Sequence, residues 1–298
     1  MPVLVDYSNV FIASVTAFSQ DFRKGESTEK MGQIARHIFL TSLLGYKKAW
    51  SEKCGSIIIA CDGKANWRKD VFPYYKGMRK SKREESDTDW SSIFSIMAEV
   101  KIELAMMFPY KVLQDEKAEG DDIIFILSDY FAENDFVQDG LEESAQRVMN
   151  ISSDHDFLQQ YKHRNYAQWS PRVKKVIPKP PSTFLVEKII AGDEGDGCPS
   201  VLMPDDFLMD REKYGGRAKP VTKKVIEKFS NLSNLNKEEL ARYKRNEVLI
   251  SSEHVPVDLR ARVIHQYKIA PDVCKRQEIL DYTIKYRLRQ LTPRVTEF

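Results

Sequence analysis

The side chains best suited to chemistry in this 298-residue chain are carboxylates, and they come in groups. Asp154 and Asp156 bracket His155 in "ISSDHDF". Glu119, Asp121 and Asp122 stand in "AEGDD", and Asp193 and Asp196 in "AGDEGDG"; Asp6 and Asp62 each close a short apolar run. Hard oxygen donors of this kind suit Mg²⁺, or Mn²⁺ in its place, rather than zinc or copper. So many acids cannot share one crevice unless cations neutralise them. Two such ions about 3.5–4 Å apart can activate a water and steady both oxygens of an in-line phosphoryl displacement. Magnesium keeps several waters, so some of the acids would act through the outer shell. Each group also has an ordinary explanation. Asp6 caps a turn, and "DGK" at 62–64 is turn punctuation. The acids of 119–122 favour a helix N-terminus, Asp193 and Asp196 are solvated loop acids, and Asp154 or Asp156 caps a helix opening at "FLQQY". His155 reads as a spacer: imidazole suits softer metals, and in an extended stretch its side chain points away from those of both neighbours.

The elements that would position these acids favour the chemical reading. "VLV" leads to Asp6, "SIIIAC" to Asp62 and "RVMNISS" to Asp154. Short β-branched runs without polar alternation are strands buried on both faces, the mark of a parallel sheet. Between them, Met31, Ile34, Ala35, Ile38 and Phe39 keep helical spacing. So do Trp90, Ile93, Phe94, Met97 and Leu104, with Lys101 as the exception, Asp87 or Thr88 as the cap and Pro109 as the stop. "YKVLQ" reads as a further strand and "DDIIFILSDYF" as a helix. Alternating strands and helices imply an α/β layer fold with a central, mostly parallel sheet, in which ligands gather outside the carboxyl ends of the strands. Residues 165–177 read as a hairpin and the Pro-rich 178–181 as a linker. Helices are expected near 183–191, 220–230, 236–250, 257–268 and 275–290. The expected division is an α/β core over 1–180, with a basic region at about 64–90, and a helical region over 181–298.

Composition is ordinary for a globular protein, 42% hydrophobic and 30% charged, and the net charge is only +2. Charge is segregated, however. Lys64, Arg68, Lys69, Lys76, Arg79, Lys80, Lys82 and Arg83 face one acid, Asp70, with Trp67, Phe72, Tyr74 and Tyr75 among them. Cations neutralise phosphates and rings stack on unpaired bases; a basic solvated helix face is the plainer alternative, and Tyr74 and Tyr75 could equally pack in a core. "YGGRAKPVTKK" offers Arg217, Lys219, Lys223 and Lys224 ahead of a helix, a second phosphate clamp. Four cysteines without CxxC spacing argue against a zinc site and fit a reducing cytoplasm. Neither a membrane span nor a signal peptide is read.

"VDYSN", "ACDGKANWRKDVFPYYKGMRKSKREES", "AEGDD", "SSDHDFLQ" and "AGDEGDG" together resemble, in order and spacing, the 5′-nuclease (flap endonuclease) superfamily. The resemblance implies a Mg²⁺-dependent enzyme that cleaves phosphodiesters near the junction of a duplex and a 5′ end, fork or flap. Its substrates would be duplex DNA and RNA–DNA hybrid, and it would remove RNA primers and adjacent DNA in replication. It further implies Asp6, Asp62, Glu119, Asp121 and Asp154 around a first ion and Asp156, Asp193 and Asp196 around a second, with Asp122 in the same motif. Lys76 and Arg79 match basic residues that contact the scissile phosphate, and the region near 64–90 matches the arch over the active site. A helix-three-turn-helix-like element in the helical region would grip duplex phosphates. Here Gly197 stands where the superfamily has Asn, and no Gly-x-Gly hairpin follows Pro199. The resemblance also suggests that the C-terminal "LTPRVTEF" docks a single-strand binding protein or a sliding clamp, where a frayed tail is the alternative, and a monomer is expected.

Rival readings are a single-strand ribonuclease of the PIN class, which lacks the basic arch, and a non-catalytic DNA-binding accessory. A haloacid dehalogenase-type phosphatase is discarded, because "DYSN" lacks the second acid of Asp-x-Asp.

Overall fold

A computed structural model describes residues 2–51, 55–133, 136–139, 142–145, 147–271 and 274–298; of Ser51, residues 80–82 and the strands within 136–145 only the backbone is described. The chain divides into two compact units. The first comprises Met1–Lys64, Ser86–Pro178 and Asp258–Phe298, the second Ala65–Glu85 and Lys179–Val257.

In the first unit, β1 (Val3–Asp6) runs straight into α1 (Tyr7–Thr16), and Asp6 caps that helix, its Oδ1 accepting the Asn9 N–H at 3.0 Å. The helix α2 (Thr28–Tyr46) and a wide turn at Lys47–Ser51 precede β2 (Ile57–Cys61). The second unit opens with α3 (Trp67–Val71) and α4 (Arg79–Glu84). The chain then returns to the first unit for α5 (Trp90–Met107), β3 (Lys111–Gln114) and α6 (Gly120–Glu133). Asp89, rather than Asp87 or Thr88, caps α5, accepting from Ser92. A two-stranded hairpin, β4 (Phe136–Asp139) with β5 (Glu142–Ala145), stands apart from the main sheet. Then come β6 (Val148–Ile151), a 3-10 helix at His155–Lys162, β7 (Tyr166–Ser170) and β8 (Lys175–Ile177).

The main sheet has the order β3-β2-β1-β6-β7-β8, all parallel except the β7–β8 hairpin. Val3, Val5, Ile57, Ile59 and Ile151 pack on one face with Phe11, Phe39, Leu43 and Val100. The alternate residues Leu4 and Ile58 are as fully buried. Burial on both faces is why these strands lack alternation, and each such side chain contributes roughly 1.5–3 kcal/mol on leaving water.

The second unit continues with α7 (Phe184–Ala191), α8 (Lys223–Ser230) and α9 (Lys237–Ile250), whose start is a capping box between Asn236 and Glu239. Phe72, Tyr75, Ile190, Phe229 and Tyr243 share its core.

Two more helices follow, α10 (Val257–Ile269) and α11 (Arg276–Lys285). They fold back on the sheet-containing unit, so the compact units differ in two places from a division at residue 180. Arg262 of α10 holds Asp115, just after β3, with Nε to Oδ2 at 2.8 Å and Nη2 to Oδ1 at 3.1 Å. The terminal residues are packed as well. Leu291, Val295 and Phe298 are buried, and the Phe298 ring sits 5.1 Å from that of Phe108. A tail anchored in this way neither frays nor offers those apolar residues to a partner. Conversely, residues 65–85 belong with the second unit because Arg68 is buried there, its Nε donating to the Leu249 carbonyl at 2.8 Å. Among the described residues no helix is long and apolar enough to cross a membrane.

Candidate active site

Parallel pairing of β1 with both β2 and β6 brings three strand ends side by side, and Asp6, Asp62 and Asp154 all stand at that edge. Asp6 is 5% exposed; its second oxygen, Oδ2, accepts the Ser152 hydroxyl at 2.9 Å. Ser152 Oγ in turn accepts the Asp154 N–H at 3.0 Å. Burial above all, with the neighbouring charges of Asp62 and Asp154, pushes the Asp6 carboxyl up to about 7, although the Asn9 N–H and the Ser152 hydroxyl pull the other way. Three carboxylates thus crowd one edge.

Asp62 is exposed, yet both its oxygens are fixed: the Gly120 N–H donates to Oδ1 at 2.8 Å and the Ser8 hydroxyl to Oδ2. The loop that presents it turns at Gly63, where a Cβ would lie 2.1 Å from the Asp115 carbonyl oxygen. Only glycine fits that approach. Glu119 and Asp122 are buried at the start of α6, where Asp122 Oδ2 accepts the Glu119 N–H at 3.0 Å; Asp121, between them in the chain, is half-buried. Asp122 therefore fastens the helix start that aims its neighbours.

Asp154 follows β6 after two serines and caps the 3-10 helix, its Oδ1 accepting the Asp156 N–H at 2.9 Å. Gln168 on β7 braces the turn from behind, donating to the carbonyls of Ser152 at 3.0 Å and Asp154 at 2.6 Å. His155 is exposed in the first turn of the 3-10 helix. Strand alternation does not govern it, since β6 has ended at Ile151.

Asp193 and Asp196 belong to the second unit, in the turn after α7. Lys188 lies 3.1 Å from Asp193, and Asp193 Oδ1 accepts the Asp196 N–H at 3.1 Å. Asp196 is gripped by the residues anticipated as catalytic cations. Arg79 grips Oδ1, while Lys76 approaches Oδ2 at 3.5 Å and the Tyr75 hydroxyl donates to it at 2.7 Å. Burial alone would raise the Asp196 carboxyl, but Lys76 and Arg79, with Tyr75 and Arg68, outweigh it and hold the group below its usual range. Lys76 reaches this position with a left-handed backbone, φ 57°, and its N–H donates to the Asp196 carbonyl at 2.7 Å. Gly197 packs so closely under Tyr74 that a Cβ would lie 2.7 Å from the Tyr74 carbonyl. Asn tolerates a left-handed φ such as the 75° found here, but this space has no room for it.

The anticipated nucleic-acid contacts divide. Lys64, Lys69, Tyr74, Arg79, Arg83, Arg217, Lys219, Lys223 and Lys224 are exposed. Arg68 and Tyr75 are corrections, each only 3% exposed. A guanidinium sealed against Leu249 and stacked 4.5 Å from the Trp67 ring cannot reach a phosphate, and the Tyr75 ring has no free face for a base. Trp67 and Phe72 are buried too, so Tyr74 alone of the four rings is offered to solvent. The anticipated Lys80 and Lys82 side chains lie outside the described residues.

Two residues near the acidic edge carry no motif in the sequence. Asp115 is tied down by Arg262, and Lys101 donates to Gln114 Oε1 at 2.9 Å. The only advance signal of Lys101 was its misfit in an apolar helix face.

Among the described residues no three His, Cys, Asp or Glu stand close enough to chelate one ion directly. The donor set is all oxygen, and burial together with the nearby Asp62 and Asp154 makes ionising Asp6 costly. That combination fits an ion that keeps several of its own waters.

The fold is one that solved structures share. A bacteriophage T5 flap endonuclease variant, solved as a pseudo-enzyme–product complex with DNA and metal ions, superposes with a TM-score of 0.60 at 17% identity, over 90% of this chain and 98% of that one. The T5 5′-exonuclease with bound zinc gives 0.60 at 16% identity, over 91% and 100%. In sequence, the chain is 30% identical over 309 residues to ribonuclease H of Enterobacteria phage T4, spanning 99% of this chain and 95% of that protein. Residues 181–298 match the family model for the C-terminal part of T4 RNase H. The chain belongs to the T4 ribonuclease H family.

Proposed function

We propose that the protein is a divalent-metal-dependent, structure-specific 5′→3′ exonuclease and flap endonuclease. It hydrolyses phosphodiesters of RNA–DNA hybrid and duplex DNA at a 5′ end, fork or flap, and so removes RNA primers and adjacent DNA from lagging-strand fragments in phage replication. The observation that carries this reading is the delivery of Asp6, Asp62 and Asp154 to one edge by three adjacent parallel strands, in a chain of the T4 ribonuclease H family.

Asp6, Asp62, Glu119, Asp121 and Asp154 would hold one Mg²⁺, and Asp156, Asp193 and Asp196 a second. When bound, such ions supply Lewis acidity to the phosphoryl group and an activated water. The chain's own contribution is orientation. Ser8 and the Gly120 N–H fix Asp62, and Ser152 links Asp6 to the Asp154 turn. The Lys76 and Arg79 cations, held on Asp196, exchange that carboxylate for phosphate oxygens when substrate arrives and offset the charge that develops there. Exposed Lys64, Lys69, Tyr74 and Arg83 line one footprint for nucleic acid, and Arg217, Lys219, Lys223 and Lys224 another.

The test is a 5′-labelled flap substrate and a nicked RNA–DNA hybrid, each incubated with and without Mg²⁺. Short products released from the 5′ end, stopped by EDTA, are expected. Cleavage confined to plain single-stranded RNA would point to the PIN-class reading, and DNA binding without cleavage to an accessory.

A further inference from the structure

A groove beside Asp154 belongs to neither of the basic segments discussed above. It lies within the first unit, between α1, the later half of α2 and the β7–β8 turn, and encloses about 1320 Å³. A single small ligand typically takes roughly 300–1,000 Å³, so this space suits a longer, chain-like occupant. Asp154 and His155 are among the residues that line it.

Its walls are unusual for a surface. Phe18 is 49% exposed, and Trp50 and Trp169 are half-buried, presenting part of their rings to the groove. Trp169 meets the ring of Tyr46, another lining residue, edge to face with centroids 5.5 Å apart. Arg172 and Lys174 add two exposed cations on the hairpin turn. The turn is firmly built: the Arg172 N–H donates to Ser153 Oγ at 3.2 Å and the Lys174 N–H to the Ser170 carbonyl at 2.8 Å. Among the described residues that line the groove, Asp154 is the one carboxylate.

Aromatic faces beside cations, with acids kept out, are the chemistry of single-stranded nucleic acid: bases stack on rings while phosphates meet positive charge. A duplex does not suit this surface, because paired bases have no free face to stack. An apolar peptide would leave Arg172 and Lys174 without a role. We propose that this groove binds unpaired nucleotides, with Phe18, Trp50 and Trp169 stacking on bases and Arg172 and Lys174 holding phosphates. The proposal rests on the nuclease reading only for its consequence, that a strand lying in the groove runs on to the acidic edge at Asp154.

The test needs no cleavage. Oligo-dT is titrated into the protein in EDTA, following tryptophan emission and the anisotropy of a labelled oligonucleotide. Wild type is compared with Trp50→Ala and with the pair Arg172→Gln/Lys174→Asn; asparagine suits the left-handed φ of 53° at position 174. We expect quenching on binding, about tenfold weaker binding for Trp50→Ala, and a salt slope about 1.4 lower for the charge pair. A blunt duplex of equal length should bind wild type and variants alike. Unchanged oligo-dT binding in the charge pair, whose side chains are exposed and bear no core, would overturn the proposal, as would an equal loss for duplex. Because EDTA suspends hydrolysis, this outcome is independent of whether the flap and hybrid substrates are cleaved.

Discussion

The ammonium of Lys76 lies 3.5 Å from Oδ2 of Asp196, and Arg79 grips the same carboxylate from its other oxygen. Two cations held by one half-buried acid make Asp196 a structural keystone of its unit as well as a proposed ion ligand. Asp196→Asn leaves both cations without their counter-charge and should cost about 1–3 kcal/mol by denaturant melts. Adding Lys76→Met to it should cost less than the sum of the single changes, since the two side chains interact. Strict additivity would show that the pair is not coupled.

Asp154→Asn separates charge from architecture. The amide oxygen can still accept the Asp156 N–H that caps the 3-10 helix, so the fold should persist. Cleavage of the flap substrate should fall below detection while DNA binding stays within about threefold, a difference under 1 kcal/mol. Asp121→Asn should behave the same way. Near-normal turnover in either variant would remove that residue from the ion site.

Divalent metal should stabilise the fold itself. The Asp6 carboxyl is buried, and beside Asp62 and Asp154 it carries a penalty for ionising that a bound cation removes. Saturating Mg²⁺ should raise Tm, by about 2–4 °C for each kcal/mol of binding free energy. Asp6→Asn, which keeps an acceptor for Asn9, should gain less in Tm from Mg²⁺ than wild type does, because only the ion that Asp6 helps to hold is weakened.

Much of this arrangement is legible in the sequence, for physical reasons. Three apolar runs ending in aspartate encode a buried parallel sheet with acids at one edge, and strand burial on both faces makes that pattern local. Helix positions in the C-terminal third follow from periodicity in the same way. Long-range partners leave no such trace. Nothing near Arg68 announces that the Leu249 carbonyl will accept its hydrogen bond, so a buried guanidinium looks like one more surface cation. Asp115 likewise shows no sign of Arg262, 147 residues away. Asp89 displaced two neighbouring cap candidates because cap choice depends on backbone geometry that spacing alone leaves open.

Asp129 supplies the pH dependence. It accepts from His163 Nε2 at 2.8 Å and from Arg260 at 2.8 Å, with Lys162 at 3.2 Å. Burial would raise its carboxyl, but His163, Arg260 and Lys162 outweigh this and hold it below the ordinary 3.8. Its stabilisation is therefore complete above that ordinary value and is lost as pH falls through the lower folded-state value. Asp129→Asn should cost about 1–3 kcal/mol at pH 7, and the variant and wild type should converge in acid. Parallel stability curves across that acid range would refute the assignment.

Lys101 is the last residue the site explains. It interrupts the apolar face of α5, and the structure shows why: it lines a small cavity of about 220 Å³ with Ser8 and Asp62. Its ammonium donates to Gln114 Oε1 at 2.9 Å, and Gln114 Nε2 donates to the Asp62 carbonyl at 2.5 Å. The chain Lys101–Gln114–Asp62 sets the backbone from which one proposed ion ligand projects, so Lys101 is a positioning residue. Lys101→Met keeps the aliphatic stem and loses the donor. It should lower kcat on the flap substrate about tenfold, equivalent to about 1.4 kcal/mol, with KM nearly unchanged, because misplacing Asp62 affects the transition state more than substrate binding. Lys101→Arg should recover part of the loss. A fall in Tm with kcat intact would make Lys101 a packing residue only.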